Sequence, residues 1–497
     1  MFAKLAEDLA ALPVLLEETR SYAARILAGL DDRPAAVVTD TAPADGPAPA
    51  TASRTQSSDR PAAVVPDTVP ADGLAPATAS RTRSSDRPAA VPGLSPLPES
   101  GDGLRSAMAT FASRWEPGFS GSAGPRYLGF VTGGSTPAAL AGDWLTSTLD
   151  QNAHGSVGSS AVALEREAVA WLGSLFGLDM PGAFVTGATM SNLVGLAIGR
   201  EWLGELRGVS VTDEGLSEPI RVLSGAPHSS IGKSLSVLGI GRKHLITVPT
   251  LPDREAVDIA ALERELAVGP AIVVANAGTV NTVDFDDIRA IAELKSRYRF
   301  WLHVDAAFGG FAALAPAYAP LLDGWSEADS VCVDLHKWLN VPYDSAVQFT
   351  RRQDLQVRVF ENQSPYLGAP GATPDPMHLT PETSRRLRAL PAWFALAAYG
   401  RAGYREIVER NIACAQELGS RLAKSPAWKL LAPVRLNVAC FAPTTGQVAT
   451  VLDDLARSGE AFLTPTVYQG VPAIRAAFSN WRTTPADVDR IAKALGV

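Results

Sequence analysis

Three runs of apolar, largely β-branched residues narrow the folds open to this chain: Ala271-Ile272-Val273-Val274-Ala275, Trp301-Leu302-His303-Val304 and Ser330-Val331-Cys332-Val333. None alternates apolar with polar residues, so each reads as a strand covered on both faces, the condition of a parallel sheet flanked by helices. Between the first two lies an amphipathic stretch over 286–298, with Ile288, Ile291, Ala292 and Leu294 on one side, which supplies a helix. Strand-like and helix-like segments alternate from residue 125 onward. The sequence therefore predicts an α/β fold whose ligands collect at the carboxyl ends of the strands.

Those ends carry chemistry. The third run closes in Asp334-Leu335-His336-Lys337, which sets a lysine just past a buried strand with a histidine beside it. An unpaired ammonium is costly in an apolar interior, and a desolvated amine loses its proton readily and condenses with aldehydes as a Schiff base. The alternative is an amine that simply reaches water. The second run closes in Asp305-Ala306-Ala307, with the aspartate 337 − 305 = 32 residues before the lysine, room for a connection and the next strand. A carboxylate there suits the pyridine nitrogen of pyridoxal phosphate, whose protonated ring is an electron sink. Ser224-Gly225-Ala226-Pro227-His228-Ser229-Ser230 follows a short strand and opens a helix, which places an imidazole for stacking on a ring. The segment from Ala183 to Asn192 reads as a strand running into small and hydroxyl residues before an apolar helix, a setting that favours a phosphate.

With these pieces in place the chain resembles the group II pyridoxal-phosphate amino-acid decarboxylases, which include aromatic-amino-acid, histidine and glutamate decarboxylases. The resemblance rests on His228-Ser229-Ser230, Asn276-Ala277-Gly278-Thr279, His303-Val304-Asp305-Ala306-Ala307, His336-Lys337-Trp338, Ser384-Arg385-Arg386-Leu387-Arg388-Ala389-Leu390 and Ser479-Asn480-Trp481-Arg482. These recur in the family's order across residues 120–490. The resemblance implies a fold type I pyridoxal-phosphate enzyme: an N-terminal helical arm (1–31), a large domain with a mostly parallel sheet flanked by helices (126–390) and a smaller C-terminal α/β domain (391–497). It also implies a homodimer with the arm wrapped on its partner. By position, Lys337 is similar to the Schiff-base lysine, Asp305 to the pyridine-nitrogen partner and His228 to the ring-stacking residue. Thr279 and Ala307 would line the ring, Ala188 and Thr189 would hold the phosphate, and His336 would approach it. The implied reaction is decarboxylation of an L-amino acid or amino-acid conjugate through an external aldimine and a quinonoid.

Two departures bear on the outcome. The family carries a tyrosine on a mobile loop after the lysine, and counting back from Arg385-Arg386-Leu387-Arg388 sets Pro376 at that place, with Tyr366 and His378 nearby as substitutes. A missing donor opens the route to an aldehyde by oxidative deamination, or to β-elimination as in relatives from lincosamide antibiotic pathways. The substrate loop Pro125–Ser135, with Phe130 and Thr132, has Gly129 where aromatic-specific members are bulky, and His154 lies in a second small, polar segment. Both suggest room for a larger or more polar side chain. An aminotransferase, with Arg475 or Arg482 for the substrate carboxylate, is the runner-up; a catalytically dead homologue would be expected to lose Lys337, Asp305 or His228, and all three are present.

The rest of the sequence fits an enzyme of this size. With 497 residues, 46% of them hydrophobic, the chain can bury a substantial core, and its net charge of −8 argues against nucleic acid as a partner. Cys332, Cys414 and Cys440 are too few and too scattered to imply disulfides or a metal. No run of about 18 apolar residues suggests a membrane span, and the N-terminus is amphipathic, so the expected location is cytoplasmic. Asp-Arg-Pro-Ala-Ala-Val starts at Asp32, Asp59 and Asp86, a period of 27, in a stretch poor in large apolar residues; 32–90 is expected to be a disordered insertion. Near the C-terminus a helix is expected over Glu406–Lys424, with strands around Leu436–Phe441 and Ala473–Phe478.

Overall fold

The computed structural model describes residues 3–36, 93–362 and 370–497. Seven strands make one sheet: β1 (Gly182–Val185), β2 (Val222–Ser224), β3 (Leu245–Thr247), β4 (Ala271–Asn276), β5 (Phe300–Asp305), β6 (Ser330–Asp334) and β7 (Ala346–Thr350), in the order β1-β7-β6-β5-β4-β2-β3. Pairing is parallel from β3 through β2, β4 and β5 to β6, while β7 runs antiparallel between β6 and β1. Every residue of β4, β5 and β6 is buried, as the unbroken apolar runs require. Register sets Asn276 opposite Asp305, and Asp305 opposite Cys332, so the ends of β4, β5 and β6 share one edge of the sheet.

Helix Ala188–Arg207 packs closely on this sheet because two of its glycines admit side chains from β5. A Cβ on Gly195 would stand 2.6 Å from the His303 ring, and one on Gly199 2.8 Å from Trp301. The helix expected over 286–298 is shorter: Ile288–Glu293, capped by Asp287 on Ala290 N–H at 3.0 Å, followed by a 3-10 turn. The helix expected over Glu406–Lys424 instead starts at Ala389 and bends at Gly400, whose φ of 57° and ψ of −169° interrupt it.

A second sheet follows that helix. Strands β8 (Trp428–Leu430), β9 (Val438–Pro443), β10 (Thr464–Tyr468) and β11 (Val471–Ala477) pair antiparallel in the order β10-β11-β9-β8. Its core, with Leu128, Leu418, Phe441, Ile474, Phe478 and Ile491, is separate from that of the large sheet.

The chain divides into two compact units, 1–20 with 37–119 and 21–36 with 120–497. In the first, Asp8 accepts the Leu104 N–H at 2.9 Å at the start of helix Leu104–Arg114, and Glu18 pairs with Arg105 at 2.8 Å. The expected arm is two helices, Ala3–Ala10 and Leu12–Ala28, with Leu9, Leu12, Val14 and Leu16 exposed. The first repeat corrects one expectation. Its opening residues are ordered in the second unit: Ala35 N–H donates to Gly459 O at 3.1 Å, Gly121 N–H to Pro34 O at 3.0 Å, and Ala35 and Ala36 are buried. These short side chains fill a small space that the repeat's low apolar content had hidden. The remaining repeats, within 37–92, lie outside the described residues. Among the described residues no helix is long and apolar enough to cross a membrane.

Candidate active site

Strand ends deliver the site. Lys337 sits on the single helical turn Leu335–Trp338 that closes β6, with Nζ 3.6 Å from Asp334 Oδ2 and 5.4 Å from the Phe308 ring centroid. The ammonium is thus paired with a carboxylate rather than left alone in an apolar interior. Asp305 ends β5, is 7% exposed, and accepts from Asn192 Nδ2 at 2.9 Å and from the Ala307 N–H at 3.2 Å. His228 caps helix Ser229–Val237, its Nδ1 accepting the Ser230 N–H at 3.2 Å. Its ring is accessible from outside, yet the surrounding protein removes enough water to lower its pKa; Asp305 pulls the other way, and Lys337 and Arg475 add to the lowering.

One cavity collects Lys337, Asp305, His228, Thr279, Ala307 and Ala188, with Ala226, Asn276, Gly278, Val280 and Phe308 as further walls. Thr279 is fixed by Glu255, which accepts its hydroxyl at 2.6 Å. The loop before helix Pro137–Leu149 presses on Lys337 from outside: a Cβ on Gly133 would meet Lys337 O at 1.6 Å, and Asn340 Nδ2 holds Gly133 O at 2.6 Å. Thr189 lies beside Ala188 in the first turn of helix Ala188–Arg207 and is exposed. His336 stands 3.1 Å from Asp334 Oδ1, its ring 4.1 Å from Tyr343 and outside the cavity walls. Asp334 thus serves His336, Lys337 and the Ala188 N–H together, at 3.3 Å from the last. It stood in the lysine motif and was readable there.

The expected substrate contacts fare differently. Phe130 is 64% exposed, and Thr132 is buried with its hydroxyl on Gly129 O at 3.1 Å. His154 bonds Asn152 O at 3.2 Å, while buried His378 accepts the Asn362 N–H at 3.1 Å. None of these four lines the cavity that holds Lys337. Tyr366 lies outside the described residues. Gly129 does not open space for substrate: a Cβ there would stand 2.4 Å from the Phe462 ring, which fills the vacancy from the loop before β10. Pro376 does not line the Lys337 cavity either. It is buried in the 3-10 turn Pro376–His378, next to Asp375, which pairs with Arg166 at 2.9 Å, and it lines a different cavity.

The residues present fit pyridoxal phosphate. Helix Ala188–Arg207 begins at Gly187 with no side-chain cap, and with the Ala188 N–H on Asp334 and the Ser191 N–H on Gly187 O, the Thr189 and Met190 N–H groups are the ones left for an anion. Asp305 is a buried carboxylate with acceptor capacity left for a ring N–H. Lys337 is a single amine opening on the same cavity. A mostly parallel sheet with these groups at its carboxyl edge, followed by a smaller antiparallel sheet, defines a fold type I pyridoxal-phosphate enzyme. The chain belongs to the pyridoxal-dependent decarboxylase conserved-domain family, whose sequence model matches residues 96–443. It is 25% identical over 390 residues to an aromatic-L-amino-acid decarboxylase of Bacillus atrophaeus, covering 74% of this chain and 79% of that one. It is 26% identical to a 3,4-dihydroxyphenylacetaldehyde synthase of Aedes aegypti, covering 79% and 80%. The fold matches a crystal structure of Oryza sativa TDC with PLP and tryptamine at a TM-score of 0.81, with 20% identity and coverage of 98% and 97%.

Proposed function

We propose that this protein removes the α-carboxylate of an L-amino acid and releases the amine, with pyridoxal phosphate held by Lys337, Asp305, His228, Thr279, Ala307 and the helix start at Ala188 and Thr189. The observation that carries this reading is the one cavity onto which the Lys337 amine, the Asp305 carboxylate and the His228 imidazole all open. When bound, pyridoxal phosphate supplies the electron sink for breaking the bond from Cα to the carboxylate. Lys337 is the amine that would hold the cofactor in this cavity. Asp305 would accept from a protonated ring nitrogen, and His228, kept neutral by burial, would offer its face to the ring. Arg475, the runner-up's candidate for holding a substrate carboxylate, is buried on β11 and is not a wall of this cavity. Arg482 does not compete for that role, because it pairs with Asp31 at 3.2 Å and stacks on Trp481.

After carbon dioxide leaves, Cα needs a proton, and with Pro376 fixed in its turn the hydroxyl we assign is Tyr366, 366 − 337 = 29 residues past the lysine. A homodimer belongs to this reading: exposed Trp144, Leu145 and Leu149 on helix Pro137–Leu149 and the bare arm leucines call for cover. A second reading is favoured by the Aedes aegypti relative. In that reading dioxygen and water are co-reactants, and the products are aldehyde, carbon dioxide, ammonia and hydrogen peroxide. Mass spectrometry of products over an L-amino-acid panel, in air and under argon, separates the two. Amine and carbon dioxide in equal yield, indifferent to oxygen, is the expected result; aldehyde and peroxide that vanish under argon establish the second reading. Absence of carbon dioxide from every amino acid would end both. Tyr366→Phe should shift product from amine toward aldehyde in air.

A further inference from the structure

Behind the two residues assigned to the ring runs a buried polar chain. Trp301 Nε1 donates to Ser330 Oγ at 3.0 Å, and Ser330 Oγ lies 2.8 Å from His303 Nδ1. His303 Nε2 lies 2.9 Å from Asn192 Oδ1. Asn192 Nδ2 then reaches two acceptors, Asp305 Oδ2 at 2.9 Å and Ser230 Oγ at 3.1 Å. Ser230 Oγ is 2.7 Å from His228 Nδ1. Asn192, His303 and Ser330 are wholly buried, so no water competes for these bonds.

Proton positions along this chain are forced. An amide oxygen cannot face a carboxylate, so Asn192 must turn Nδ2 to Asp305 and Oδ1 to His303. Oδ1 only accepts, so His303 carries its proton on Nε2; burial keeps that ring neutral by pushing its pKa down to about 4. Its bare Nδ1 then accepts from Ser330, which in turn accepts from Trp301. On the other arm Ser230 Oγ accepts from Asn192, and its own proton points at His228 Nδ1. A proton on that nitrogen would face the Ser230 N–H, so the arrangement holds His228 protonated on Nε2 alone. Charges facing His228 are Asp305 and Asp334, which favour protonation, and Lys337 and Arg475, which oppose it.

We infer that Asn192 is a positioning residue whose one amide couples the aspartate at the ring nitrogen to the histidine on the ring face, and that His303 sets which way this amide points. The inference rests on the roles proposed above for Asp305 and His228. It accounts for Gly195, one turn further along the same helix, whose missing side chain is what admits the His303 ring.

The test uses the full-length protein with pyridoxal phosphate titrated by absorbance, and kcat/KM recorded against pH. Asn192→Leu should weaken cofactor binding and lower kcat by roughly tenfold to a hundredfold, the range for a lost hydrogen bond to a charged group. It should also move the acid limb of kcat/KM to higher pH, as His228 accepts a proton more readily. His303→Phe should act in the same direction, and adding it to Asn192→Leu should cost nothing further, because His303 acts only through the amide. Ser230→Ala should move the acid limb and leave cofactor affinity unchanged. Additive losses in the double variant, or an acid limb unmoved in Ser230→Ala, would overturn the coupling. If Asn192→Leu fails to fold, Ser230→Ala and the recovery of cofactor affinity in His303→Gln relative to His303→Phe decide the matter. A wild-type protein that takes up no pyridoxal phosphate would instead end the reading beneath it.

Discussion

At the scale of single residues, the proposed roles are separable by what each removal takes away. Lys337→Ala removes the single amine that, among the described residues, opens on the cavity, so borohydride reduction, which should attach the cofactor to Lys337 in the wild type, should attach none in the variant, and turnover should stop. An adduct on any other lysine would contradict this. Asp305→Ala leaves the proposed phosphate site and takes away the proposed ring-nitrogen partner. A loss of about 4 kcal/mol of stabilisation corresponds to roughly a thousandfold in rate, read as kcat with the cofactor still bound; near-normal turnover would show that Asp305 does not touch the ring nitrogen. Lys337, Asp305 and His228 were legible because each stands where an apolar strand stops, a position marked in the sequence itself. Asn192, Glu255 and Phe462 were not, because their effect depends on which distant segment packs against them. Phe462 shows the cost of that blindness: Gly129 looked like free space, and a ring from 333 residues further along fills it.

At the scale of elements, the meeting of helix Ala188–Arg207 with β5 sets both packing and pH response. Replacing a helical glycine by alanine ordinarily gains up to about 1 kcal/mol, but at Gly195 the added methyl would stand 2.6 Å from His303. Overpacking of this kind costs typically 1–3 kcal/mol, so Gly195→Ala should destabilise, measured by urea unfolding; a gain would mean the His303 ring moves aside freely. The same burial makes His303 refuse a proton that the unfolded chain accepts: its pKa is about 4 against an ordinary 6.5. Its contribution to stability is whole above pH 6.5 and declines as pH falls toward 4. Asp286 acts oppositely, because burial raises it to about 6 from 3.8. The folded state keeps that proton below pH 6, so its contribution is whole below 3.8 and declines as pH rises to 6. Over the shared window the two offset one another, and Asp286→Asn should uncover a steeper loss of stability between pH 6.5 and 4, by up to about 1.4 kcal/mol per pH unit. The buried strands are plain in the sequence, whereas helix ends depart from the apolar period where Gly400 and the 3-10 turn after Glu293 break it.

At the scale of the whole molecule, the repeats raise the question of what a duplicated segment does to a finished fold. Deleting 37–90 removes two periods and restores Asp-Arg-Pro-Ala-Ala-Val across the junction of Ala36 with Val91. Lengthening or shortening a loop changes its closure cost only slowly, about 0.6 kcal/mol per doubling, so cofactor content, kcat and melting temperature should stay close to wild type. Loss of folded protein would show that the deleted residues carry structure. The ordering of Asp32–Ala36 gives this duplication a consequence of its own. The body carries one socket, formed at Gly121 and Gly459, and the chain carries three copies of the plug. What distinguishes the first copy is its upstream neighbour: Leu30 is buried, whereas Ser57 and Ser84 occupy the matching places before the second and third copies. One apolar side chain, Leu30, therefore marks out the copy that sits in that socket.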